Sequence, residues 1–317
     1  MRRGARAGTP GAGHAAPPDP ARAEFVLSKL QLLITRRLDG LLQGDYLGLL
    51  PGPGSEAGEA REYRAGDDVR RMDWPVTART TVPHVRQTIA DRELETWLAL
   101  DLSASLDFGT ATCLKRDLAI AAAAAIAHLT VRGGNRIGAV VGTGDAVRRI
   151  HAHQGRKGAQ ALLRSVALTP PAAGGGRTDL AALIDSLNRP VRRRGLAVVI
   201  SDFLADSAWE RPMRKLAVRH DVLAVEVVDP RELELTGVGV MEFADPETGA
   251  VHEIDTSDAK LRAAYAEQAA AQRAQIARGL RRAGVPQLRL RTDSDWLIDI
   301  VRFVAGQRHA RTRGTTR

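Results

Sequence analysis

Two runs of apolar residues, 97–100 and 196–200, contain no polar residue at alternate positions, and each closes on an aspartate: Asp101 directly, Asp202 after Ser201. A strand with one face in water must alternate, so a strand that is apolar throughout needs cover on both faces. Strand-like stretches recur at 137–142, 147–153, 222–228 and 288–292. Helical spacing fills the intervals at 113–130, 157–167, 179–187, 209–219, 260–282 and 296–304. Strand and helix in repeated succession predict an α/β chain built on a doubly wound, mainly parallel sheet.

The pattern divides the chain as well. Residues 1–21 are rich in Gly, Pro and Ala and are expected to be a disordered tail. Phe25, Leu27, Leu30, Leu33, Ile34, Leu38 and Leu41 recur at helical spacing. They open an N-terminal helical and loop extension over 22–93, with a strand expected within 82–89. The α/β domain then spans 94–306, carries a hairpin insertion at about 236–256 around Asp245-Pro-Glu-Thr-Gly249, and ends on a C-terminal helix. A basic tail, 307–317, follows.

Composition removes several classes of function. One cysteine, Cys113, excludes a disulfide framework. Its place at a helix start would lower its pKa, yet without a histidine nearby in sequence it reads as a structural thiol. The longest apolar run, 118–127, is far short of the roughly 20 residues of a membrane span. The N-terminal arginines precede no hydrophobic segment, so no secretory signal and a cytoplasmic protein are expected. The net charge of +9 invites a nucleic-acid partner, but much of the excess is terminal and stacking residues are few: three Tyr and five Phe. No specific nucleic acid is expected. His151 and His153 share a strand face without a further His/Cys cluster, which argues against zinc. Gly133-Gly134 and Gly174 to Gly176 lack the Lys-Ser/Thr that completes a phosphate loop.

In an open α/β sheet, ligands collect at the carboxyl ends of the strands. Asp101, Ser103 and Ser105 can turn three oxygens inward from one loop. Asp202 ends the second apolar run, and Thr178 follows a glycine-rich loop. Such a set offers oxygen alone, the donor type of Mg²⁺ or Mn²⁺. Helix capping by the same residues is the competing reading.

This set resembles the metal-ion-dependent adhesion site of von Willebrand factor type A domains. Asp101, Ser103 and Ser105 match its first loop, Thr178 its second and Asp202 its third. Upstream, Arg61-Glu62-Tyr63-Arg64 and Gly66-Asp67-Asp68, followed by Arg70, Asp73-Trp74 and Ala78-Arg79, resemble the signature of the bacterial domain-of-unknown-function 58 family. That family sets its signature just before a type A domain. The resemblance runs from about residue 24 to 308, and Leu106 replaces a methionine common after the second serine. It implies a Rossmann-type, von Willebrand factor type A-like fold and a non-enzymatic module in which Mg²⁺ receives an Asp or Glu from a protein partner. It further implies an adaptor or co-chaperone role beside a MoxR-type AAA+ ATPase. A metal-assisted hydrolase and a basic scaffold for nucleic acid or anionic lipid are the alternatives. For the signature, Arg61, Tyr63, Asp67, Asp68, Arg70, Asp73, Trp74 and Arg79 read as internal bracing, with Tyr63 and Trp74 buried, or as a docking surface.

Overall fold

The computed structural model describes residues 60–63, 69, 72–86, 95–132, 135–144, 146–171, 178–188, 194–205, 207–244 and 250–306, single positions between 27 and 37, and the backbone of 307–314. The expected tail over 1–21, Arg64, Asp67, Asp68, Arg70 and Arg71 of the signature, the side chain of Arg61 and the loop 174–176 lie outside the described residues. The chain runs β1 (Ala60–Glu62), α1 (Trp74–Thr80), β2 (His84–Arg86), β3 (Glu95–Asp101), α2 (Lys115–Arg132), β4 (Arg136–Thr143), β5 (Ala146–Gln154), α3 (Gly155–Ala167) and α4 (Leu180–Leu187). It continues through β6 (Leu196–Ser201), α5 (Glu210–Arg219), β7 (Asp221–Val228), β8 (Val240–Ala244), β9 (Val251–Asp255), α6 (Ala259–Arg282), β10 (Gln287–Arg291) and α7 (Trp296–Gly314).

Six strands form one sheet in the order β10-β7-β6-β3-β4-β5. All neighbours are parallel except β4 and β5, an antiparallel hairpin whose turn places Gly144 at φ +65°. The unbroken apolar runs sit where both faces are covered. Leu98, Leu100, Val198, Ile200, Val225 and Val227 join residues of α2, α3 and α7 on one side. Trp97, Ala99, Ala197, Val199 and Ala224 join α4, α5 and α6 on the other. Because successive side chains of a strand point to opposite faces, one apolar run supplies both layers.

Helix α2 contains the alanine run 121–125, all of it buried. Small side chains let this helix lie close against the strands, and a helix apolar all round belongs inside. Helices α4 and α6 begin on aspartate caps: Asp179 accepts from the Ala182 amide at 2.9 Å, and Asp258 from the Lys260 amide at 2.8 Å. Among the described residues no helix is long and apolar enough to cross a membrane.

Outside the main sheet, β8 and β9 pair antiparallel as the expected hairpin. The extension is less loop-like than expected, because β1 and β2 pair antiparallel around α1. Leu27, Leu30 and Leu33 are partly buried against the α2 side of the core, and Ile34 is fully buried there. Trp74 corrects the bracing reading, being 67% exposed. Asp73 takes the inner place instead: it is buried and caps α1 by accepting from the Val76 amide at 3.2 Å. The cap starts the helix at Trp74, and the indole turns outward. Tyr63 is half-buried and Arg79 exposed.

Candidate functional site

From β3 the chain moves outward to β4 and β5, then returns to lay β6 on the opposite side of β3. The connections therefore diverge between β3 and β6, the crevice where open α/β sheets bind ligands. Asp101 is the last residue of β3, and Asp202 directly follows β6. Both carboxylates are buried.

Of the five oxygen-bearing residues read from the sequence, Asp101, Ser103, Ser105 and Asp202 meet at this edge, and Thr178 lies beside it at the end of β4. Asp101 accepts the Ser103 amide at 3.1 Å and the Ser201 hydroxyl at 2.8 Å. The hydroxyls of Ser103 and Ser105 lie 3.2 Å apart, and Ser105 also hydrogen-bonds Asp202. Thr178 approaches from the adjoining strand end, where its Oγ1 accepts the Gly144 amide at 3.2 Å. Gly142 of β4, which pairs with Asp101, admits it: a methyl group at Gly142 would lie 2.6 Å from Thr178 Cγ2. Replacement of Gly142 by alanine is expected to displace Thr178 with the fold retained, and any Mg²⁺ held here would then bind about tenfold more weakly. Calorimetric Mg²⁺ titration checks this, and an unchanged affinity would remove Thr178 from the site.

Capping does not account for these residues. Ser103 precedes the short turn Ala104–Asp107 yet makes no side-chain cap bond. Asp202 accepts the Leu204 amide at 3.1 Å, while the next helical turn starts only at Ser207. Of the flanking acids, Asp107 pairs with Arg116 at 3.2 Å, and Asp179 is spent on its cap.

The two aspartates differ in their neighbours. Burial, followed by the nearby Asp202 carboxylate, pushes Asp101 up to about 6 against the hydrogen bonds that favour its charged form. Asp202 is equally buried, but Lys115 holds its carboxyl below the usual range. Lys115, first residue of α2, is 0% exposed; its Nζ donates to Asp202 Oδ2 at 2.8 Å and also to Glu232. Behind it, Arg273 of α6 donates to the Asp202 carbonyl at 3.0 Å, to Glu226 at 3.2 Å and to Glu232 at 3.0 Å. Arg289 pairs with the other oxygen of Glu226 at 2.7 Å. Asp101 thus has no ion-pair partner among the described residues, whereas Asp202, Glu226 and Glu232 each have one.

This donor set fits a hard divalent cation. It offers two carboxylates, three hydroxyls and no nitrogen or sulfur. Its one uncompensated negative charge, on Asp101, lies at the crevice. Half-buried Ser105 marks the side nearer to solvent.

Ser201, Lys115, Gly142, Glu232 and Arg273 were not read from the sequence. Ser201 left a trace as a hydroxyl closing an apolar strand. Lys115 left none, since 87 residues separate it from Asp202. The expectation for Cys113 is corrected: α2 starts two residues later, and burial raises the thiol pKa. His151 and His153 are exposed on β5.

A family model described as "Protein of unknown function DUF58" matches residues 59–275. The uncharacterized proteins Rv1480 of Mycobacterium tuberculosis and Mb1516 of Mycobacterium bovis are each 57% identical to this chain over 296 residues, covering 93% of both chains compared. Among solved structures, the conserved hypothetical protein BatB from Bacteroides thetaiotaomicron aligns with 15% identity and a TM-score of 0.42, over 68% of this chain and 99% of its own.

Proposed function

The chain belongs to the DUF58 family of proteins of unknown function, and from that membership we propose that it is a non-enzymatic, Mg²⁺-dependent protein-interaction module with a von Willebrand factor type A-like, Rossmann-type sheet. The observation that carries this reading is the meeting of Asp101, Ser103, Ser105 and Asp202 at the crevice between β3 and β6, with Thr178 against the neighbouring end of β4. Ser103, Ser105 and Thr178 would hold the ion through their hydroxyls, with Asp101 and Asp202 supplying the negative charge. When bound, Mg²⁺ (or Mn²⁺) supplies a positive centre for an Asp or Glu side chain of the partner. Ser201 and the Ser103 amide keep the Asp101 carboxylate oriented, and both carboxylates are buried. The family resemblance extends the proposal to an adaptor or co-chaperone acting in the cytoplasm beside a MoxR-type AAA+ ATPase.

Binding rather than catalysis is favoured by the state of Lys115. A general base needs a free lone pair and reach to substrate. Lys115 is buried between two carboxylates, and despite the opposing effect of burial they hold its pKa above the ordinary lysine value.

Thermal unfolding with EDTA and with Mg²⁺ titrated in tests the proposal, because a ligand that binds only the folded state raises its stability by about 2.7 kcal/mol at a hundredfold excess over Kd. The wild type is expected to gain several degrees and Asp101→Ala none, with Mg²⁺-dependent capture of the ATPase lost in parallel. Capture that ignores EDTA and Asp101→Ala but collapses with salt would instead support the basic scaffold.

A further inference from the structure

Asp202 is not a free carboxylate awaiting an ion. Its Oδ1 accepts the Leu204 amide, its Oδ2 holds the Lys115 ammonium at 2.8 Å, and its carbonyl is held by Arg273. The ammonium is fully enclosed, so it cannot leave for solvent or reach a partner. Its only other acid among the described residues is Glu232, in the turn Pro230–Glu232 after β7, and Arg273 shares that glutamate. A resident positive charge is therefore fixed on one of the two carboxylates of the site.

We propose that Lys115 acts as a tethered cation that shares Asp202 with the divalent ion and so lowers the ion's affinity for the site, and that Glu232 sets how much of the lysine's charge Asp202 receives. The inference rests on the metal reading above and concerns its regulation. Two cations drawn to one carboxylate repel each other, most strongly where water is excluded. With Asp202 already compensated, the net attraction for the ion comes chiefly from Asp101. A site of that kind holds Mg²⁺ weakly until a partner carboxylate restores the missing negative charge, which makes ion and partner bind cooperatively. Glu232 draws part of the ammonium's charge away from Asp202. The turn that carries Glu232 is itself fixed by Asp229, which accepts the Arg231 amide at 2.9 Å and the Thr110 hydroxyl at 2.6 Å. This places the control in a segment distinct from the oxygen donors.

Calorimetric titration with MgCl₂ alone tests the proposal on the wild type, Lys115→Met, Glu232→Gln and the double variant, with far-UV circular dichroism to confirm folding. Lys115→Met is expected to tighten Mg²⁺ binding by about tenfold or more, and Glu232→Gln to weaken it. The double variant removes one buried charge of each sign and is expected to bind more tightly than the wild type; it decides the matter if Lys115→Met does not fold. Should neither lysine variant fold, the sign of the Glu232→Gln change decides. Wild-type binding without tightening in the lysine variants, or with tightening in Glu232→Gln, overturns the role of Lys115 alone. No Mg²⁺ uptake by any of the proteins overturns the metal reading and this inference together.

Discussion

Arg273→Ala is expected to destabilise the fold by about 3–5 kcal/mol, the cost of breaking a buried ion pair by removing one partner. Arg273 is nearly inaccessible on α6, and Glu226, which it meets at 3.2 Å, lies at 0% exposure in the middle of β7. Its loss leaves Glu226 to Arg289 and Gln287, both nearer the surface, and removes donors from Glu232 and the Asp202 carbonyl. Urea denaturation measures the change. At about 2–4 °C per kcal/mol for a domain of this size, a midpoint near 10 °C lower is expected on heating. Arg273→Lys restores only part, since one ammonium cannot reproduce the planar fork that spans three acceptors. A loss below about 1 kcal/mol would mean that the pair is solvated rather than buried.

Asp101→Asn is expected to act in the opposite direction and stabilise the metal-free protein at neutral pH. In the folded chain Asp101 titrates at about 6, against a reference of 3.8. Between those values the folded state holds a proton that the unfolded chain has released, so stability is full below about pH 4 and declines as pH rises through about 6. Above that range the wild type carries a penalty of about 1–3 kcal/mol that asparagine does not. In EDTA the variant should therefore unfold at higher urea concentration than the wild type at pH 7.5, and the gap should close at pH 4. Saturating Mg²⁺ should reverse the order, because only the wild type gains from the ion. A variant no more stable at pH 7.5 than at pH 4, relative to wild type, would show that Asp101 carries no such cost.

The strands at 97–100 and 196–200 were legible because unbroken apolarity is a local property with one common cause, burial on both faces. The hairpin at β8–β9 and the start of α4 at Asp179 were legible for equally local reasons, turn chemistry and a side chain within reach of its own amides. The five oxygen donors were legible in part from position and in part from resemblance. Trp74 was misread because a large aromatic in a charged stretch is expected inside, whereas the Asp73 cap sets the helix phase and turns it out. Glu226 was not read from the sequence either, although a carboxylate inside an apolar strand is the local mark of a buried pair. Nothing local named Arg273, which is 47 residues away.

The sequence by itself determined a buried, mainly parallel sheet with carboxylates at two strand ends. Apolar patterning and strand-end polarity act over a few residues, so the information lies in contiguous sequence. Tertiary structure alone decided how those carboxylates are charged. Lys115 and Asp202 meet only when α2 docks beside β6, and Glu232 and Arg273 join them when β7 and α6 close that side. Two aspartates alike in sequence thereby become unlike in chemistry, one compensated by a buried ammonium and the other without an ion-pair partner among the described residues, because electrostatic interaction depends on distance in space and on desolvation rather than on separation along the chain.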